Sequence, residues 1–166
     1  NFNCHSFMKN NKKQLDINKI ISYQRNRYPL LLIDKIIDFK PGKSVIAVKN
    51  FSYNEWYFPA HFDGEPNVPG FILIESMVQS FIMTFLCQKK YAGNKTNFYN
   101  LNAAKFRKKI LPGDTLKIKS VLNSINRGIA NGKSEGYVNN EFACSAEFTV
   151  TLPEIFEKFI PKKRNN

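Results

Sequence analysis

The chain contains one long apolar stretch, at residues 71–86, in which hydrophobic side chains occur on nearly every side of a helix. This pattern predicts a helix that begins at Pro69, runs to about Tyr91, stops near Gly93 and is buried on most sides. Proline is tolerated at an early helical position because its missing N–H would have no partner there. A helix of this kind has to be wrapped by other elements.

Alternation of apolar and polar residues predicts the strands that wrap this helix. Residues 141–152 alternate most cleanly, and one face of that strand carries Phe142, Cys144, Ala146, Phe148 and Val150. Further strands are predicted at 30–39, 44–51, 96–104, 115–125 and, more weakly because of its glycines, 127–138. A short helix starts at Asp16, and Asn139-Asn140 forms a tight turn. This order predicts the α+β class, with an antiparallel sheet facing one long helix.

Length and composition indicate a single folded domain. The chain has 166 residues, and 43% of them are apolar, which excludes a disordered chain. We assign residues 1–14 to a leader or expression remnant, 15–152 to the domain and 153–166 to a basic tail, and expect both ends to be mobile. The N-terminus shows no secretory signal pattern. The apolar stretch is short for a bilayer and contains Glu75 and Gln79, so no membrane span is expected.

Cysteines and charge narrow the class of partner. Cys4, Cys87 and Cys144 are odd in number and far apart, which excludes a disulfide framework and a cysteine metal site and fits a reducing cytoplasm. His61 is the only histidine of the predicted domain, which excludes a histidine-rich metal site. The net charge of +12 attracts nucleic acid, an anionic membrane or an acidic carrier protein. No nucleic-acid-binding motif accompanies this charge, so no nucleic acid partner is expected. The alternative is that the charge reflects only the abundance of lysine and serves no partner.

Candidate chemistry is concentrated between the predicted loop at residues 52–69 and the first turns of the long helix. His61 lies in this loop, and Gly64 is expected only to shape it. Glu75 lies among apolar helix residues, with Gln79 four residues further on the same face. The N–H of Gly70 at the helix start is unpaired and favours developing negative charge. A base, an acid and an oxyanion donor are the parts of a proton-abstraction site; the alternatives are a packing histidine and a paired or surface carboxylate.

The segment from His61 to Gly70 resembles the pattern His-Phe-x-Gly-x-Pro-x-x-Pro-Gly of the beta-hydroxyacyl-acyl carrier protein dehydratases of bacterial fatty acid synthesis, the FabZ type. Glu75 follows it, as is typical of that type. Residues 27–34, 104–114, 127–129 and 137–138 resemble further landmarks, so the resemblance covers roughly residues 15–152. The chain departs from the usual residues at Asn26, Ala60, Asp63 and Val68 and in its bulky helix. These departures leave the acyl chain length open and make a specialised paralogue an alternative to a housekeeping enzyme.

The resemblance implies a hot-dog fold, in which an antiparallel sheet wraps around the long helix. It implies a homodimer with shared active sites, His61 coming from one subunit and Glu75 from the other, and a trimer of dimers as a further assembly. It implies a substrate on an acyl carrier protein and no metal or organic cofactor. We then expect His61 to take the α proton, Glu75 to protonate the leaving hydroxyl and the Gly70 amide to bind the thioester carbonyl. Gln79 would orient Glu75 or a water.

A basic cluster, formed by Lys105, Arg107, Lys108 and Lys109, is the densest of the domain. We predict that at least two of these residues line the carrier-docking face and that Phe106 points inward between them. The alternative is a solvated run of charges. For the function as a whole, the alternatives are a hot-dog acyl thioesterase, which generally lacks this histidine loop, and a non-catalytic hot-dog subunit.

Overall fold

One six-stranded sheet and one long helix dominate the computed structural model, which describes residues 14–161. The helices are α1 (Ile17–Tyr23), α2 (Gly70–Leu86) and α3 (Pro153–Phe156). The strands are β1 (Lys35–Lys40), β2 (Ser44–Asn50), β3 (Asn97–Phe106), β4 (Thr115–Asn126), β5 (Ile129–Val138) and β6 (Glu141–Thr151). Their order is β1-β2-β4-β5-β6-β3, and all neighbours are antiparallel, so β3 lies at an edge of the sheet.

Helix α2 forms the centre of the core. Every residue from Ser76 to Leu86 is buried, and the helix packs on β2, β4, β5 and β6. The predicted α+β arrangement, an antiparallel sheet wrapped around one long buried helix, is therefore confirmed. Among residues 14–161, no helix is long and apolar enough to cross a membrane.

Glycine in β5 accommodates the bulk of this helix. A Cβ on Gly132 would lie 2.3 Å from Cε2 of Phe81, a distance that real side chains do not adopt. The phenyl ring of Phe81 stacks on Phe148 of β6, with ring centroids 5.9 Å apart. The glycine that weakened the strand pattern in the sequence thus allows α2 and the sheet to approach closely, and β5 runs without a break.

Two predicted boundaries and one predicted strand face are wrong. The strand predicted from residue 30 begins only at Lys35, because residues 30–32 lie along α2 and bond its Gln79 instead of a neighbouring strand. Helix α2 ends at Leu86, after which the chain continues in tighter turns up to Gly93. Phe142 is 39% exposed and does not share the buried face of β6, because the pairing with β5 shifts register at this point.

The ends of the chain fall partly outside the structure. The expectations for residues 1–13 and 162–166, a mobile leader and a mobile basic tail, lie outside the described residues. Within the segment assigned to the tail, α3 continues into a 3₁₀ turn (Glu157–Phe159), and Ile155 packs against the core. The division into leader, domain and tail stays a prediction.

Candidate active site

His61 follows a 3₁₀ turn (Phe58–Ala60) and is held by two hydrogen bonds to Asn67. Its Nδ1 lies 3.1 Å from the carbonyl oxygen of Asn67, and its own carbonyl accepts the Asn67 N–H at 2.9 Å. A carbonyl oxygen only accepts hydrogen bonds, so Nδ1 carries the proton of the neutral imidazole. The lone pair of Nε2 is therefore the one that can take a proton.

The loop after His61 turns back on itself between Phe62 and Glu65. The Glu65 N–H donates to the Phe62 carbonyl at 3.1 Å, and Gly64 inside this turn has a φ of 71°. Side chains other than glycine rarely adopt this left-handed conformation. Nothing lies within 4 Å of the place where a Cβ of Gly64 would sit, so conformation rather than packing favours glycine. This geometry supports the loop-shaping role expected of Gly64.

A cleft of about 390 Å³ joins the His61 loop to the N-terminus of α2. Gly70 lines it, and the Gly70 N–H has no hydrogen-bond acceptor within residues 14–161. The ring of Phe106 lies 3.5 Å from the place where a Cβ of Gly70 would sit and so covers one side of this glycine. His61 and an unpaired helix-terminal amide thus line one common space, as an oxyanion site requires.

Glu75 lies on α2 outside this cleft and is only partly buried. Its Oε1 accepts the Nε2–H of Gln79 at 2.8 Å and the Nδ2–H of Asn26 at 3.3 Å. It lines two other cavities, of about 210 Å³ and 440 Å³, that lie between α2 and Phe98 of β3. Within one chain, the structure therefore brings His61 and Gly70 together but does not bring Glu75 into the same cavity.

Three residues of the basic cluster, Arg107, Lys108 and Lys109, line the His61 cleft, whereas Lys105 is exposed on β3 and does not. Lys108 forms an ion pair with Glu141, and Lys109 pairs with Glu65 at 3.0 Å. In the part of the chain that the structure describes, Arg107 has no acidic partner. The cluster therefore contributes less uncompensated charge than its sequence suggests.

Phe106 was predicted to point inward between the basic residues. The ring lies against Gly70 at the start of α2, while Phe106 as a residue remains 46% exposed. Phe106 is the last residue of β3, and its ring also lines the His61 cleft.

A buried lysine links β2 to the segment that precedes His61. Lys49 of β2 has a side chain that is 7% exposed; its Nζ lies 2.5 Å from Glu55 and 3.9 Å from Asp34. Burial, together with the charges of Glu55 and Asp34, raises the pKa of the nearby Tyr57 phenol above its ordinary value. This arrangement ties β2 to the segment that leads into the turn before His61.

The described cysteines lack the properties of nucleophiles. Burial raises the pKa of the Cys87 thiol to about 11 and that of the Cys144 thiol to about 12. A thiolate is the reactive form, so neither thiol is activated near neutral pH.

Two contacts at this site were missed by the sequence reasoning. Asn67 lies six residues after His61 across a Gly-containing turn, so the turn could have signalled it. Asn26 reaches Glu75 from 49 residues away, and no local pattern signals such a contact.

Comparison with known proteins identifies the family. The family model described as the FabA-like domain matches residues 25–147. The 3-hydroxyacyl-[acyl-carrier-protein] dehydratase FabZ of Latilactobacillus sakei is 41% identical over 138 residues, which cover 83% of this chain and 99% of that protein. The FabZ dehydratase of Syntrophomonas wolfei is 36% identical over 141 residues, covering 85% and 98%. The solved dehydratase heterocomplex ApeI:P of Xenorhabdus doucetiae superposes with a TM-score of 0.69 at 16% identity, covers 86% of this chain and 97% of that one, and supports the fold alone. The chain has the hot-dog fold and belongs to the FabA-like family, among the FabZ 3-hydroxyacyl-[acyl-carrier-protein] dehydratases.

Proposed function

We propose that this protein is a hydro-lyase that converts 3-hydroxyacyl thioesters on acyl carrier protein into trans-2-enoyl thioesters, in fatty acid or related acyl-chain synthesis. The observation that carries the proposal is the cleft in which the free Nε2 of His61 and the unpaired N–H of Gly70 lie together. Relatives named as FabZ dehydratases support the same reaction.

In the first half of the reaction, a proton leaves the carbon next to the thioester carbonyl. Nε2 of His61 takes this proton, because its lone pair is free while Nδ1 bonds the Asn67 carbonyl. Negative charge then develops on the thioester oxygen. The Gly70 amide donates a hydrogen bond to that oxygen at the positive end of α2, and one such donor is typically worth about 2.7–4 kcal/mol.

In the second half, the bond between the β carbon and its hydroxyl breaks. Glu75 donates a proton to the departing oxygen, so that water leaves and the double bond forms between the α and β carbons. The products are the enoyl thioester and water, while His61 holds one added proton and Glu75 has lost one. Proton exchange through solvent restores both residues.

Two copies of the chain are proposed to complete the site. His61 and Glu75 line different cavities of one chain, and the edge strand β3 exposes Phe98 (49%) and Tyr99 (72%). Phe71, at the start of α2, is also exposed, and an open apolar strand edge is a natural place for pairing. We propose a homodimer with shared sites, in which Glu75 of one subunit serves His61 of the other, and a trimer of dimers as the larger assembly.

We propose that the acyl carrier protein docks beside the His61 cleft. Arg107, Lys108 and Lys109 surround this cleft, and an acidic carrier would be attracted to them. Lys105 is exposed further along β3 and would contribute at the margin of the same surface. We place the reaction in the cytoplasm, since the cysteines lack the spacing of a disulfide framework.

A spectrophotometric assay tests the function directly. Hydration of a crotonyl thioester removes its conjugated absorbance, and the wild type should catalyse this reverse reaction. His61→Ala and Glu75→Gln should each lose it while remaining folded, and mixed heterodimers of the two variants should recover part. Release of free thiol without hydration would point to a thioesterase, absence of both to a non-catalytic subunit, and failed recovery despite confirmed subunit exchange would contradict the shared site.

A further inference from the structure

Oε1 of Glu75 receives two amide N–H groups from different parts of the chain. Gln79 donates from α2 at 2.8 Å, and Asn26 donates at 3.3 Å from the strap, by which we mean residues 24–32 after α1. We propose that Asn26 is a positioning residue that, with Gln79, fixes Oε1 as an acceptor and leaves Oε2 to carry the proton that Glu75 delivers. This inference rests on the proposed function, since it concerns the acid of that reaction.

The amide of Gln79 has only one orientation that satisfies its contacts. Its Oε1 accepts the N–H of Leu32 at 2.8 Å, so Nε2 is on the other side. Nε2 then donates one hydrogen to the carbonyl of Leu30 at 2.6 Å and the other to Glu75. Because all three contacts use the available donors and acceptor, the first amide on Oε1 of Glu75 is locked.

The strap holds the second amide in place from the other side. The guanidinium of Arg27 donates to the carbonyls of Ile21, Gln24 and Asn26 at 2.8–3.1 Å, which fixes the backbone of Asn26 against the end of α1. Asn26 is itself half-buried and lines the cavity of about 210 Å³ together with Glu75. Its Nδ2 therefore meets the carboxyl from a backbone that is already ordered.

The surroundings of Glu75 isolate this contact from other charges. Within residues 14–161, every residue that shares a cavity with Glu75 is uncharged; Thr96 and Asn26 are the polar ones. The guanidinium of Arg27 is occupied by the carbonyls of its own segment. In the proposed dimer, His61 of the partner subunit is the titratable group that joins Glu75. The pH response of the acid therefore reflects its two amide donors and that histidine.

Hydrogen bonds to a carboxyl oxygen favour the charged form. Each amide thus stabilises the carboxylate that remains as the proton leaves for the hydroxyl. Removal of one donor should slow proton delivery and, at the same time, allow Glu75 to keep its proton to higher pH. A residue with a merely structural role would not move the pH profile.

The test is the pH profile of kcat and kcat/KM for carrier-bound substrate. Asn26→Ala should lower kcat about 3- to 10-fold, the range expected for one hydrogen bond, with KM nearly unchanged. The alkaline limb should move to higher pH, and it should move further in Asn26→Asp because two like charges would adjoin. Asn26→His, which retains an N–H donor, should recover most of kcat. Asn94→Ala is the matched control, because its amide bonds only the Tyr91 carbonyl, and it should leave the limb unmoved.

A readout without turnover separates this inference from the proposed function. The carbonyl stretch of protonated Glu75, assigned by its loss in Glu75→Gln, can be followed against pH by difference infrared spectroscopy. Its midpoint should rise in Asn26→Ala and rise further in Asn26→Asp. An unmoved midpoint and alkaline limb would overturn the role of Asn26 even if Glu75→Gln is inactive. A shifted midpoint together with full activity of Glu75→Gln would retain the contact and overturn the assignment of Glu75 as the acid.

Discussion

Gln79→Glu replaces an amide nitrogen with oxygen while preserving the shape of a fully buried side chain. In the wild type, Nε2 lies 2.6 Å from the Leu30 carbonyl and 2.8 Å from Oε1 of Glu75, so an ionised replacement would place a negative oxygen against two acceptors. Burial favours the protonated form of the introduced carboxyl, and so does the adjoining Glu75 carboxyl whenever it is ionised. We therefore expect a loss of stability that depends on pH.

Linkage gives the sign and size of this loss. A glutamate in an unfolded chain has a pKa of about 4.3, and the folded variant should have a higher value at position 79. The variant then keeps its stability below about pH 4.3 and loses it as the pH rises through the folded pKa. A rise of about two to three pKa units corresponds to a loss of about 3–4 kcal/mol that is complete at pH 8.

Urea unfolding followed by circular dichroism at pH 4.5 and pH 8 measures the effect, at one protein concentration because subunit association contributes to stability. Gln79→Leu is the matched control: it leaves the buried Leu32 N–H unpaired and should cost about 1–3 kcal/mol at both pH values. Adding Glu75→Gln to Gln79→Glu removes the adjoining ionisable carboxyl and should recover part of the stability lost at pH 8. An equal loss at both pH values, or no recovery, would refute the reasoning.

Three further perturbations test other contacts. Gly132→Ala should lower the free energy of unfolding by about 1–3 kcal/mol, because a methyl group would lie 2.3 Å from Phe81. Adding Phe81→Leu should restore part of that loss. A thermal unfolding temperature that Gly132→Ala leaves unchanged would argue against close packing at this position. Lys49→Met should cost about 3–5 kcal/mol in urea unfolding by leaving Glu55 without its buried partner, and less in combination with Glu55→Gln. Burial raises the pKa of Cys144 to about 12, so a thiol reagent at pH 8 should label this cysteine only after unfolding, and rapid labelling of Cys144 in the folded protein would contradict this. Since the pKa is higher in the folded protein, the free energy of unfolding should fall as the pH rises from about 9 toward 12.

Periodicity predicted the elements well and misjudged the segment at residues 30–34. The long helix and the strands have distinct apolar repeats, and the structure contains each of them. The apolar run after Pro29 looks the same in sequence whether it pairs with a strand or lies on a helix. In the structure, its backbone groups at Leu30 and Leu32 bond the side chain of Gln79, and this choice depends on a residue 47 positions away from Leu32.

Nearby residues in the sequence predicted one part of the candidate site but not the other. His61 and Gly70 belong to one short segment, so their common cleft could be anticipated from the loop and the helix start that follows it. Glu75 is only one further turn along the same helix, but it faces other cavities. Spacing along a helix gives a face but not the neighbour of that face. That the acid and the base come from two copies of the chain was therefore implied by the resemblance to the FabZ type and not by the spacing of residues.

Charge shows most clearly what composition leaves undetermined. The sequence presents four cations within five residues, and the fold pairs Lys108 with a glutamate 33 residues away and Lys109 with one 44 residues away. Lys105 lies outside the His61 cleft, so Arg107 is the cation of the cluster that both lines the cleft and has no acidic partner among residues 14–161. A guanidinium presents a planar fork of donors that matches a phosphate or carboxylate group, whereas exposed ion pairs add little net attraction. Selectivity for an acidic carrier at this cleft should therefore depend more on Arg107 than on the total charge of +12.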